Sequence, residues 1–119
     1  MKGFRNLKVW IKSHQLTLDI YKSTQQFPKE ELFGLVSQLR RASTSIPTNI
    51  AEGSGRKSEK EFIQFLSIAL GSANEVDYLI ELSKDLGFIS QEIWTQLDQE
   101  INEIQSMLFV LIRNKSERS

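Results

Sequence analysis

Apolar residues recur at helical spacing through nearly the whole chain, and two prolines and a few glycines punctuate them into four segments. In the first, Val9, Ser13, Leu16 and Ile20 fall within one narrow arc of a 3.6-residue period, which marks a core stripe. Leu7, Ile11, Leu18 and Tyr21 fall on the opposite side, with Trp10 between the two arcs. A helix that is apolar on two faces needs both covered. One face is therefore expected in the core, and the other, Leu7, Trp10, Ile11, Leu18 and Tyr21, at a contact with another subunit. The helix should span about residues 7–26 and stop before Pro28, because a residue preceding proline avoids helical backbone.

The second segment, about residues 31–53, carries the core stripe Leu35, Leu39, Ala42, Ile46 and Ile50. Beside it runs a polar row of Gln38, Arg41, Ser45, Asn49 and Glu52. Both rows continue past Pro47, which predicts one kinked helix rather than two. Proline leaves the Ser43 carbonyl without its amide partner, at about 3 kcal/mol unless neighbours compensate, and the hydroxyls of Ser43, Thr44, Ser45 and Thr48 are expected to do so. Gly53 is expected as a left-handed cap.

Ser58, with Glu61 three residues on, forms a capping box that opens the third helix over about residues 59–86. Its core face is Phe62, Phe65, Leu66, Ala69, Ala73, Val76 and Ile80. Gly71 costs about 1 kcal/mol in mid-helix, which predicts the close approach of another helix there. Gly87 and Ser90 bound the last connection, and Leu97, Ile101, Ile104, Leu108 and Leu111 form the stripe of a fourth helix over about residues 91–113, with a fraying polar tail. Short links between long helices predict one all-α domain over residues 1–119, an antiparallel up-down-up-down four-helix bundle.

Composition removes several function classes. The chain of 119 residues has no cysteine, which excludes disulfides and thiolate-held metals. Its first residues, MKGFRNLKVW, lack the apolar run of a signal peptide, and no window approaches the roughly 18 apolar residues of a membrane span, so a cytoplasmic protein is expected. Net charge is zero but unevenly placed: residues 1–57 hold ten Lys or Arg against four Asp or Glu, and residues 58–119 hold five against eleven. Such a dipole suits either a basic surface for nucleic acid or pairing of the two halves within or between subunits, and pairing is the expected use.

Chemistry is sparse. A di-metal carboxylate site in a helical bundle needs Glu-x-x-His pairs, yet the single histidine, His14, has no acid three residues before it. Serine catalysis would have to rest on that one imidazole, and no Walker pattern stands near Gly53, Gly55, Arg56 and Lys57. No catalytic residue, metal, cofactor or small-molecule substrate is expected. The polar set Gln38, Arg41, Asn49 and Glu52, with Glu75 of the third helix facing Arg41, reads as a structural network that fixes helix register or a subunit joint. Arg56 and Lys57, at a helix start, have the chemistry to hold a phosphate.

Trp10 with His14, Leu16 and Tyr21, the pair Phe27-Pro28, Gly34-Leu35, QLRRAS at 38–43, SIPTNIAEG at 45–53, Arg56, EFIQFL at 61–66 and ALGSANE at 69–75 together closely resemble the four-helix-bundle proteins encoded in 23S rRNA intervening sequences. The resemblance implies a ring-like homopentamer with no established enzymatic activity, and a non-enzymatic assembly or adaptor module is expected. That family is also similar to the accessory protein of diversity-generating retroelements, a basic pentamer that engages nucleic acid. By that similarity Arg40, Arg41, Arg56 and Lys57 are the positions for RNA contact, the alternative function. The neutral net charge and acidic second half depart from this pattern.

Overall fold

The computed structural model describes residues 3–118, and among them every regular element is helical. After a 3-10 turn, Gly3–Asn6, come α1 (Lys8–Thr24), a 3-10 turn (Lys29–Glu31), a π-helical turn (Leu32–Val36), α2 (Ser37–Ser54), α3 (Glu59–Asp85) and α4 (Gln91–Arg118). α2 packs on α1 and α3, and α4 packs on α3 and α1, giving an elongated body of 46 × 22 × 20 Å.

On α1 the buried residues are Val9, Ser13, Leu16, Ile20 and Thr24, the stripe that the 3.6-residue period marks plus one further turn. Each fully buried Leu or Ile of the core contributes about 1.5–3 kcal/mol of burial, and Leu16, Ile46, Ile50, Leu66, Ile101 and Ile104 sit at its centre. Phe62 and Phe65, expected inside, are only partly buried at the start of α3.

The second helix does not begin at residue 31. The Glu31 carboxylate caps the π-helical turn by accepting from the Leu35 amide at 3.1 Å. At Gly34 the backbone leaves helical values (φ −108°, ψ −107°), and regular α-helix starts only at Ser37. From there α2 runs without interruption through the buried Pro47.

The carbonyl of Ser43, which proline deprives of its amide, is met from another helix. The Thr17 hydroxyl of α1 lies 3.0 Å from it and also 3.0 Å from its own Ser13 carbonyl. The local hydroxyls expected to fill this role go elsewhere: Ser43 and Thr44 donate to the Arg40 carbonyl, Thr48 to the Thr44 carbonyl, and the Ser45 hydroxyl meets that of Ser72. The repair of the proline gap is thus a tertiary contact between α1 and α2.

Neither Gly53 nor Gly71 plays the role expected of it. Gly53 has no left-handed backbone but lies buried inside α2, where an added Cβ would stand 2.7 Å from Phe65 Cβ and 2.8 Å from Phe62 Cδ1. Helices α2 and α3 therefore approach closely there. Gly71 is exposed, and a Cβ on it would meet nothing within 4 Å. Gly87 is left-handed (φ 80°) and ends α3 with the bonds Phe88 N to Ser83 O and Gly87 N to Lys84 O, both 2.9 Å, the pairing of a Schellman cap.

The caps at helix starts form as the sequence predicts. The Ser58 hydroxyl accepts from the Glu61 amide at 3.2 Å, and the Ser90 hydroxyl from the Ile93 amide at 3.1 Å. The end of α4 does not fray at residue 113: the helix continues to Arg118. Its anchor is Lys115, whose ammonium lies 3.0 and 3.2 Å from the two Glu59 carboxylate oxygens and 4.7 Å from the centre of the Phe62 ring.

Candidate functional site

A solvent-facing apolar groove runs along the α1/α2 side. Ile11, Leu18 and Tyr21 project from α1 with about half their surface in water, Leu18 at 50%. Thr44, Thr48 and Ala51 of α2 form the opposite wall of a groove of about 630 Å³. Trp10 and Leu7 pack partly on the core, and Trp10 also lines this groove. Trp10 is fixed by an edge contact with Phe4 and by His14, whose ring stacks on it at 5.1 Å and 9°. The sole imidazole is thus an exposed stacking group at the groove, with no carboxylate among its described contacts.

The four basic positions do not form one surface. Arg40 turns back onto α1: Nε donates to Thr24 Oγ1 at 3.0 Å, Nη2 to the Tyr21 carbonyl at 3.3 Å, and the guanidinium lies 4.6 Å from the centre of the Tyr21 ring. Arg40 therefore ties down the last turn of α1 rather than pointing outward. Arg56 lies 4.7 Å from the Phe65 ring centre and 3.9 Å from the Glu52 carboxylate. Arg41 and Lys57 are exposed. Arg40 and Arg41 stand in the first turn or so of α2 and Arg56 and Lys57 follow its C-terminal end, so the cations divide between the two ends of the helix.

The expected polar network is likewise divided. No ion pair joins Arg41 to Glu75 among the described residues, and both side chains, like that of Gln38, are exposed. What does link these helices is smaller: Ser45 Oγ meets Ser72 Oγ at 2.8 Å, while Asn49 Nδ2 donates within α2 to the Ser45 carbonyl at 2.8 Å. Glu52 turns along its own helix to Arg56.

A seam between α1 and α4 holds a carboxyl pair that sequence reading does not single out. Glu100 Oε1 is buried with no hydrogen-bond donor among the described residues, while Gln96 donates to the other oxygen at 3.2 Å. Burial, together with the neighbouring Asp19 carboxylate, pushes the Glu100 carboxyl up to about 7 from an ordinary 4.5. Gln15 donates to Asp19 at 3.1 Å, and the Lys12 ammonium is engaged by Glu103 at 3.0 Å, leaving the pair without a cation.

The folded state therefore holds the Glu100 proton more tightly than the unfolded chain. Its stabilising contribution is complete below about pH 4.5 and is lost as pH rises through about 7. Glu100→Gln, which keeps a donor toward Asp19 at all pH values, is expected to stabilise the protein by about 1 kcal/mol at pH 8 and to leave it unchanged at pH 4.5. That figure is well below the full shift because the carboxyl is half-buried and screened by water. Chemical denaturation at the two pH values checks it.

Other exposed apolar residues lie outside the stripes that periodicity marks. Phe33, at 93%, is the most exposed large hydrophobic residue described, and it sits with Leu32 on the π-helical turn. Ile68 and Tyr78 project from α3 at 52% and 63%. The signal for these was an apolar residue off the core arc, such as Leu32-Phe33 before Gly34. Among the described residues no group of three His, Asp or Glu side chains is placed to hold a metal ion, and no helix is long and apolar enough to cross a membrane.

A family model for the 23S rRNA-intervening sequence protein matches residues 5–110. Among solved structures, the chain is similar to a protein of unknown function from the S23 ribosomal protein family of Bacteroides thetaiotaomicron. The two share 32% identity at a TM-score of 0.79, over 87% of this chain and 97% of that one. No curated protein matches the chain.

Proposed function

We propose, from the premise that this chain belongs to the 23S rRNA-intervening sequence protein family, that it is a non-enzymatic module that assembles with copies of itself. The observation that carries this reading is the α1/α2 face, where Ile11, Leu18 and Tyr21 stand exposed beside an apolar groove. Exposed apolar patches of this kind mark interaction surfaces. By the resemblance drawn above, the assembly has five subunits and works as an adaptor in the cytoplasm. Within the subunit we infer the up-down-up-down arrangement. It is supported by contacts whose numbers fall on one helix as they rise on the next: Thr24 with Arg40 and Thr17 with Ser43, then Glu59 with Lys115 and Asp77 with Gln105.

Light scattering of the purified protein at tens of micromolar tests the reading. A particle of several subunits is expected, and a monomer would end it. If RNA cleavage were ever detected, an unchanged rate in His14→Ala would remove the sole imidazole from consideration.

A second reading, RNA binding, draws on exposed Arg41 and Lys57. The wide spacing of the cations limits this use to two separate phosphate contacts. Neutralising Arg41 and Lys57 should weaken binding and flatten its salt dependence by about one phosphate contact each. No shift of rRNA at low salt would remove this reading.

A further inference from the structure

A second apolar cleft lies between the start of α1 and the latter part of α4. Leu7 and Val9 line it from α1, and Met107, Val110 and Leu111 from α4, around a volume of about 440 Å³. It shares no lining residue with the α1/α2 groove, so the self-assembly reading makes no use of it. Val9 is buried, and Leu7, Met107 and Leu111 pack partly on the core, whereas Val110 keeps 41% of its surface in water. Walls anchored in a packed core stand ready before any occupant arrives, which lowers the ordering cost of binding. Met107 adds an unbranched, adaptable wall that can fit itself to an apolar chain.

The lining also carries a sign. Among the described residues that line it, Lys8 alone is charged, and no carboxylate stands with it. Lys8 is exposed and forms no ion pair among the described residues. We infer that this α1/α4 cleft binds a free single-chain amphiphile of the fatty-acid class, with its chain against Leu7, Val9, Met107 and Leu111 and its anionic head at the Lys8 ammonium. The size favours such a ligand, since small-molecule sites occupy about 300–1,000 Å³ and are mostly apolar with a few placed polar groups. A partner helix fits less well. The α4 lining runs from Ser106 to Asn114, about 12 Å at a rise of about 1.5 Å per residue, which gives a second helix only about two turns of contact. A bilayer surface is recognised by several clustered cations, and here a single lysine stands at the cleft, so the occupant is a free amphiphile.

Calorimetric titration of the full chain with hexanoate, octanoate and decanoate tests the proposal. Each step adds two methylenes and should tighten binding about 10-fold, because a buried methylene is worth about 4-fold and part of the chain stays wet. An affinity that ignores chain length, or no binding of decanoate, would overturn it. Val110→Asp sets a carboxylate in the cleft at an exposed position, so circular dichroism should show the parent's helicity while decanoate binding falls about 10-fold or more. Undiminished binding by this folded variant would move the ligand elsewhere and end the proposal. Lys8→Gln reads the head group separately: decanoate should weaken about 3-fold, as for an exposed ion pair, while uncharged decan-1-ol is unchanged. Equal effects on the two ligands would contradict the placement of the head at Lys8. Leu18→Asp, on the assembly face, should bind decanoate as the parent does. Binding confined to that variant would mean that a neighbouring subunit covers the cleft, and the proposal would fail while self-assembly stood. Co-sedimentation with vesicles of phosphatidylcholine and phosphatidylglycerol, lost in Val110→Asp and without binding of free decanoate, would assign the cleft to a membrane surface instead.

Discussion

Replacing Thr17 by valine is expected to destabilise the protein by about 1–2 kcal/mol, although the substitution conserves shape and removes no apolar contact. The loss falls on α2 rather than on the helix that carries the residue. Ser43 is fully buried, and Pro47 supplies no amide to its carbonyl, so the Thr17 hydroxyl at 3.0 Å is the donor that reaches it. Leaving a buried acceptor unsatisfied costs about 1–3 kcal/mol. The lower part of that range applies here because the same hydroxyl also serves the Ser13 carbonyl. Position 47 decides whether this account is right. In a Pro47→Ala background the helix can supply its own amide to Ser43, and Thr17→Val should then cost under about 1 kcal/mol. The double-mutant cycle, measured by urea denaturation at one protein concentration, should show that coupling. An equal cost in both backgrounds would mean that Thr17 acts through some other contact.

Gly53→Ala is expected to lower stability by about 1–2 kcal/mol, while Gly71→Ala should raise it by up to about 1 kcal/mol. Both replacements gain helix propensity, about 1 kcal/mol relative to glycine. At Gly53 a new methyl would stand 2.7 Å from Phe65 Cβ, an atom fixed to the α3 backbone, so the helices must separate to admit it. Overpacking of this kind costs about 1–3 kcal/mol. At Gly71 the space is open within the subunit, and only the propensity term remains. Thermal melts of the two variants should move in opposite directions, by about 3–5 °C per kcal/mol for a domain near this size. Stabilisation of Gly53→Ala would show that the α2/α3 contact yields without cost.

These contrasts show what a period can and cannot reveal. Val9, Ser13, Leu16 and Ile20 are legible as one buried face because a helix repeats every 3.6 residues, whatever packs against it. The start of α2 is less legible, since a Glu31 carboxylate bonded to the Leu35 amide holds a π-helical turn where the same apolar pattern suits an ordinary helix. Partners across helices are hidden more deeply. Proline reveals that Ser43 lacks an amide, but only the rotation of α1 against α2 decides that Thr17, rather than a nearby serine, answers it.

The same limit separates the two glycines, which are alike in sequence and differ in which neighbour faces them. It also applies to the basic residues. Arg40 and Arg41 are adjacent in the chain, yet one bends over the Tyr21 ring and the other faces water. The Glu100 and Asp19 carboxyls lie far apart in sequence, and no spacing rule brings them together.

The exposed face of α1 remains the centre of the account, and sedimentation velocity of the parent protein beside Leu18→Asp, at the same concentration in tens of micromolar, tests it most directly. The account predicts a multimer for the parent and a folded monomer for the variant. A variant that sediments as the same multimer would contradict the assignment of this face to assembly.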